Sequence, residues 1–138
     1  MHLCPPLKSA KHDLKIKALE LLLFLQNESI CAYEVPLSNH TVRCLNKLQN
    51  NNADCELASI FGTYFTEATK FDIHAHVTEG LLPINQYLHD IQDFLCKSKS
   101  EVKDCGVAFE ESDGDYEKIC KVMSLLKLLR GWLSREHC

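Results

Sequence analysis

Glu79-Gly-Leu-Leu-Pro-Ile-Asn-Gln-Tyr-Leu-His-Asp-Ile-Gln-Asp-Phe-Leu-Cys96 is two-faced when wound at helical pitch. Ile84, Tyr87, Leu88, Ile91, Phe94 and Leu95 fall on one side, and Gln86, His89, Asp90 and Asp93 on the other. A period near 3.6 does not suit a strand, so the stretch predicts an amphipathic helix over 79–96. Pro83 is expected in its first turn, where a missing amide proton does no harm.

The same pattern recurs on either side. Upstream, a helix is expected over 10–26, with Ser9 as its cap and Leu14, Ala18, Leu21, Leu22 and Leu25 along one stripe. Residues 32–37, Ala-Tyr-Glu-Val-Pro-Leu, are extended in character because Pro36 disfavours helix at Val35, and they suit a short edge strand. A helix opens near Thr41 with Val42, Leu45 and Leu48 apolar. Asn50-Asn51-Asn52 interrupts it before Leu57, Ile60, Phe61, Tyr64, Phe65 and Ala68 resume the stripe. Downstream, Cys105-Gly-Val-Ala-Phe109 suits a second short strand. Ser112-Asp-Gly-Asp115 supplies a turn and cap for a last helix over 115–135. Five glycines and four prolines are too few for a many-turned β-sandwich, so the chain is expected to be one all-α domain over 1–138, a bundle of four or five helices with long connections.

Eight cysteines, at 4, 31, 44, 55, 96, 105, 120 and 138, include no Cys-x-x-Cys pair. An even count at wide spacing suits a disulfide framework rather than a structural zinc site. Asn27-Glu-Ser29 and Asn39-His-Thr41 are N-glycosylation acceptor triplets. Together these predict a secreted glycoprotein. Met1 is read as an added start, with the natural signal absent, because Asp13 and Glu20 interrupt residues 1–31 as a leader and Cys31 is a poor cleavage residue. A formal net charge of -4 offers no basic excess for nucleic acid, and Leu21–Leu25 is too short to insert in a membrane.

Candidate chemistry is sparse. Asp72-Ile-His74-Ala-His76 has the His-x-His spacing of some metal sites but lacks companion ligands, and reads as a solvated loop. His89-Asp90 superficially suggests a helical lipase dyad, yet no glycine-rich calcium loop accompanies it, and no Gly-x-Ser-x-Gly or phosphate-cradling loop is present. No catalytic residue, metal or cofactor is therefore assigned. The sharper signal is doubled amphipathicity. In the first helix Ile16, Leu19 and Leu23 fall opposite the core stripe, beside Glu20. In the last, Ile119, Val122, Met123, Leu126, Leu129 and Leu133 make a stripe, while Lys121, Leu125, Leu128, Trp132 and Arg135 gather opposite. Such second faces are either covered by the connections or exposed as partner-binding patches.

The order of these segments resembles the short-chain four-helix cytokines, the group of interleukin-4, interleukin-13, interleukin-3, interleukin-5 and granulocyte-macrophage colony-stimulating factor. Glu20-Leu21-Leu22-Leu23-Phe24-Leu25 resembles the group's first-helix pattern, and Tyr33–Leu37 the first crossing strand of interleukin-5. Cys44–Cys55, with its asparagine-rich corner, resembles interleukin-13 and interleukin-3. Cys96, Cys105, Phe109 and Glu110 resemble the colony-stimulating factor, and the terminal pair Cys4 and Cys138 resembles interleukin-4. The resemblance implies an up-up-down-down bundle, in which 54–69 and 79–96 compete to be the third helix. It also implies pairing of Cys4 with Cys138, Cys31 with Cys55, Cys44 with Cys105 and Cys96 with Cys120. The implied function, most like that of interleukin-4 and interleukin-13, is to bring together class I cytokine receptor ectodomains, the ligand being a monomer beforehand; an interleukin-3, interleukin-5 or colony-stimulating-factor-like ligand is the alternative within the group. One receptor chain would meet Ile16, Leu19, Glu20 and Leu23 with His89, Asp90 and Asp93. The other would meet Lys121, Leu128, Trp132 and Arg135. A reading of a different class is a secreted helical carrier of a small apolar ligand.

Overall fold

The computed structural model describes residues 4–31, 33–96 and 104–135. Five helices make up most of them: α1 (Cys4–Asn27), α2 (Asn39–Asn50), α3 (Asp54–Phe71), α4 (Ala75–Leu95) and α5 (Asp115–Leu133). Helices α1, α3, α4 and α5 share one core, and α2 lies against α3. Both segments expected to compete for one place thus have a place of their own, and the shorter α2 is the additional helix.

Two helix starts lie earlier than the sequence suggests. Helix α1 begins at Cys4, so Ser9 is an interior residue and not the cap. Pro5 and Pro6 occupy the first turn, where the amide protons have no intrahelical acceptor in any case. Helix α4 begins at Ala75, which places Pro83 inside the helix rather than in its first turn. Val77 and Leu81 extend the buried stripe of Ile84, Leu88 and Ile91 past the proline, and this packing offsets the lost hydrogen bond. Gly80 lets α1 and α4 approach closely. A Cβ there would lie 2.9 Å from Leu21 Cδ1.

The ends of the helices are matched by specific contacts. Cys31, just beyond α1, is bonded to Cys120 near the start of α5, while Lys11 near the other end of α1 donates to the Arg135 carbonyl. Phe24, late in α1, stacks on His76 at the start of α4 with ring centroids 3.8 Å apart. Cys55 at the start of α3 is bonded to Cys96 at the end of α4. Trp132 Nε1, late in α5, donates to Asp54 Oδ1 at the start of α3 over 3.0 Å.

The disulfides therefore correct two expected pairings. Cys44 does pair with Cys105, but Cys31 pairs with Cys120 and Cys55 with Cys96. Cys55 opens α3, whose partner across the core at that end is the tail of α4, so Cys96 is in reach and Cys31 is not. The expected Cys4–Cys138 bridge lies outside the described residues.

Among the described residues there is no strand, which corrects the two crossing strands. The segments at 33–37 and 105–109 are held to different helices instead of to each other. The Val35 carbonyl accepts from Ser124 Oγ of α5 at 2.9 Å, and Glu34 is paired with Lys127. The Cys105 carbonyl accepts from Thr41 Oγ1 of α2 at 3.0 Å, and the Gly106 carbonyl from the Tyr64 hydroxyl of α3 at 2.8 Å. Gly106 itself, at φ 85°, takes the left-handed conformation that breaks the extended run. Burial of Tyr64 and the negative charge of Asp104 push its hydroxyl pKa up to about 12, against a hydrogen bond with Thr41 that pulls it down.

Candidate functional site

The second apolar face of α1 is open to solvent. Ile16 is 42%, Leu19 36% and Leu23 43% exposed, while Leu14, Ala18, Leu21 and Leu25 on the opposite side are buried. No connection among the described residues covers the stripe. Glu20 beside it is exposed and pairs with Lys17 at 3.4 Å, a surface contact of small energetic value. Next to Glu20, α1 and α4 form a notch of about 250 Å³ lined by Lys17, Glu20, His76, Glu79 and Pro83 above Leu21 and Gly80.

His76 and Glu79 are site residues that the sequence reading missed. Their signal was present, because His76, Glu79 and Pro83 stand at i, i+3 and i+7. It was hidden by starting the helix at 79. The expected solvated loop is there in part, since residues 72–74 do form a loop and His76 is exposed, but His76 lies in the first turn of α4 and both rings rest on Phe24. His74 is half-buried with its ring edge on Phe24, its Nδ1 has no hydrogen-bond partner, and His76 stacks on the same phenyl ring. Among the described residues no group of three His, Cys, Asp or Glu side chains is placed to hold a metal ion.

On α4, His89 and Asp93 form an exposed pair at 3.6 Å, and Asp90 accepts from Gln86 at 3.2 Å. His89 faces away from α1. It lines an open, polar groove of about 810 Å³ between α3 and α4, with Ser59, Thr63, Thr66, Asn85 and Gln92. Of the expected α4 set, His89 therefore does not join the α1 surface.

Helix α5 reverses the expectation for its second face. Trp132 is buried, stacked on Phe61 at 5.8 Å in addition to its bond to Asp54. Lys121 is buried and paired with Asp113 at 2.6 Å. Leu125 is fully buried and Leu128 packs against the core. Only Arg135 of the expected group is exposed, and it donates to the Gln49 carbonyl. Lys121 and Trp132 are thus corrected from contact residues to interior ones, and Leu128 is half-buried against the core. The cause is the 33–37 segment on one flank of α5 and the start of α3 on the other.

Asp113 shows how the loop before α5 is fastened. Burial alone would raise its carboxyl pKa, but hydrogen bonds from Lys121 and the Glu110 amide, with the charges of Lys121 and Lys118, hold it below the usual carboxylate value. Gly114 then caps the start of helix α5, its amide donating to Glu117 Oε2 at 3.1 Å.

Both acceptor asparagines are exposed, Asn27 as the last residue of α1 and Asn39 as the first of α2. Thr41 has a structural task as well, since its buried hydroxyl joins α2 to the Cys105 carbonyl. No helix among the described residues is long and apolar enough to cross a membrane. The chain matches no protein-family model, no curated protein and no solved structure.

Proposed function

We propose that this chain is a secreted signalling ligand of the short-chain helical cytokine group, most like interleukin-4 and interleukin-13, which brings class I cytokine receptor ectodomains together without catalysing a reaction. The observation that carries the reading is the exposed stripe Ile16, Leu19 and Leu23 beside Glu20, opposite a fully buried stripe on the same helix. An apolar row next to a charge, on a rigid helix, is the form of a partner-binding patch. Three disulfides among the described residues support an extracellular site of action. The end-to-end contacts support an up-up-down-down order, since each of α1 and α3 meets α4 and α5 head to tail.

In this reading one receptor chain covers Ile16, Leu19, Glu20 and Leu23 together with the notch at His76 and Glu79. A receptor cation can meet Glu20 and Glu79 there as water is excluded, in a pair whose net value depends on how well the lost solvation is replaced. The test is a panel of class I receptor ectodomains immobilised for surface plasmon resonance. At least one should bind, and Glu20→Arg should weaken it about tenfold with an unchanged circular dichroism spectrum, a loss typical of truncating one partner of a charge pair. Absence of binding across the panel, with a stoichiometric lipid extracted from the purified protein, would replace this reading by that of a carrier.

A further inference from the structure

The two chain segments that hold the excess negative charge also carry an exposed pair of tyrosines. Tyr33 is 70% and Tyr116 39% exposed, and their rings meet edge to face with centroids 6.0 Å apart. Tyr33 lies on the segment that crosses α5, and Tyr116 in the first turn of α5. Residues 28–34 and 110–127, which surround the pair in the chain, hold Glu28, Glu34, Glu110, Glu111, Asp113, Asp115 and Glu117 against Lys118, Lys121 and Lys127. Seven of the chain's nineteen acids and three of its fifteen bases are there, leaving twelve of each elsewhere, so the whole formal excess of -4 belongs to these two segments.

The local cations are already committed. Lys121 is buried against Asp113, Lys127 is paired with Glu34, and Lys118 sits over the Phe71 ring at 4.6 Å. Asp115, next to Tyr116, is exposed, and so are Glu110 and Glu111. An aromatic surface within a negative field selects a planar cation. A guanidinium is weakly hydrated and stacks on a tyrosine face while its charge meets the carboxylates, whereas an ammonium keeps its water more firmly. A T-shaped pair gives such a group one ring to stack on and a second to abut.

We propose that the Tyr33–Tyr116 pair is the docking surface for an arginine-rich segment of a partner protein. The inference stands apart from the receptor reading, because it involves the crossing segment and the start of α5 and not the outer face of α1.

The test uses the intact, oxidised protein and two probes, a short Arg-Gly repeat peptide and its Lys-Gly counterpart, in a titration followed by nuclear magnetic resonance. The arginine peptide should shift the Tyr33 and Tyr116 ring signals and bind about fivefold more tightly than the lysine peptide, because a weakly hydrated guanidinium stacks on an exposed ring at less cost than an ammonium does. Tyr33→Leu with Tyr116→Leu keeps every charge and should bring the arginine peptide down to the lysine level. If that pair of changes disturbs the circular dichroism spectrum, Tyr33→Leu alone, at the more exposed ring, should still remove about half of the preference on a logarithmic scale. Equal affinities for the two peptides, affinity untouched by the tyrosine changes, or shifts confined to residues away from both rings would each overturn the proposal, leaving unspecific attraction between opposite charges.

Discussion

Helices α1 and α5 start from the same kind of sequence and end in opposite environments. Each carries apolar residues on two faces. In α1 the second face, Ile16, Leu19 and Leu23, stands in solvent, whereas in α5 Leu125 and Trp132 are as buried as the first stripe. The difference lies outside the helices. Residues 33–37 cross α5 and are held there by Ser124, Lys127 and the Cys31–Cys120 bond, and the start of α3 receives Trp132. No comparable strap among the described residues crosses α1. Periodicity reports how many apolar faces a helix has, but the path of a connection decides which of them is core.

The comparison breaks most sharply at Trp132. Trp132→Ala should lower unfolding free energy by about 3 to 5 kcal/mol, the cost usual for emptying a buried aromatic site, with the hydrogen bond to Asp54 lost as well. Chemical denaturation read by circular dichroism measures it. A change under about 1 kcal/mol would mean that the ring is a surface group and that α5 is like α1 after all.

Next in size is the strap. Cys31→Ala with Cys120→Ala removes the bond with the longest sequence separation among the described residues, 89, and should cost about 3 to 4 kcal/mol. Removing Cys55 and Cys96, separated by 41, should cost slightly less, since the loop term grows only with the logarithm of length. Hydrogen exchange distinguishes the two variants. Faster exchange along 120–127 on loss of Cys31–Cys120, but not on loss of Cys55–Cys96, would show that the strap is what keeps the second face of α5 covered.

A smaller effect is expected at Asp113. Asp113→Asn leaves the Lys121 ammonium buried without its counterion and should cost about 2 to 3 kcal/mol. The pH dependence has a definite sign. Because the folded carboxyl pKa lies below its unfolded value of 3.8, the pair's contribution is fully present above that value and is lost as pH falls through the folded one. The wild-type advantage over Asp113→Asn should therefore be constant near neutrality and shrink only under acid conditions. An advantage that shrinks already between neutrality and pH 5 would assign the effect to another group.

The buried stripes were legible because burial imposes the helical period directly on Leu14, Ala18, Leu21 and Leu25 and on Ile84, Leu88 and Ile91. The break at Asn50–Asn52 was legible too, since asparagines favour turns and Asn52 takes the left-handed conformation there. Three things were not. The helix starts at Cys4 and Ala75 were one, since Ser9 offered a cap and Pro83 suited a first turn, although Pro5 and Pro6 fit a first turn equally well and a proline further in is tolerated where packing outweighs a single bond. The extended segments have strand-like composition, but a strand requires a partner, and their carbonyls were taken by Thr41, Tyr64 and Ser124. The Cys31 and Cys55 partners depend on which helix ends meet, which is a three-dimensional fact. Of the candidate site, the exposed α1 stripe was readable from one helix alone, while the α5 set failed because its exposure depended on the strap.

The smallest stability effect, and the one that completes the contrast, belongs to that stripe. Ile16→Gln, Leu19→Gln and Leu23→Gln together keep helix propensity and the outer length of each side chain, and none of the three side chains fills a closed site. The triple variant should lose no more than about 1.5 kcal/mol, against several for Trp132→Ala, since surface substitutions away from special features each change stability by about 0.5 kcal/mol or less. If the stripe is a partner surface, this nearly silent variant should at the same time abolish the binding that Glu20→Arg only weakens, because apolar anchors rather than rim charges supply most of the interface energy. A triple variant that unfolds would make the stripe part of the core. One that folds and binds like the wild type would leave the three side chains as ordinary surface residues, and the likeness between the two helices would end at their sequences.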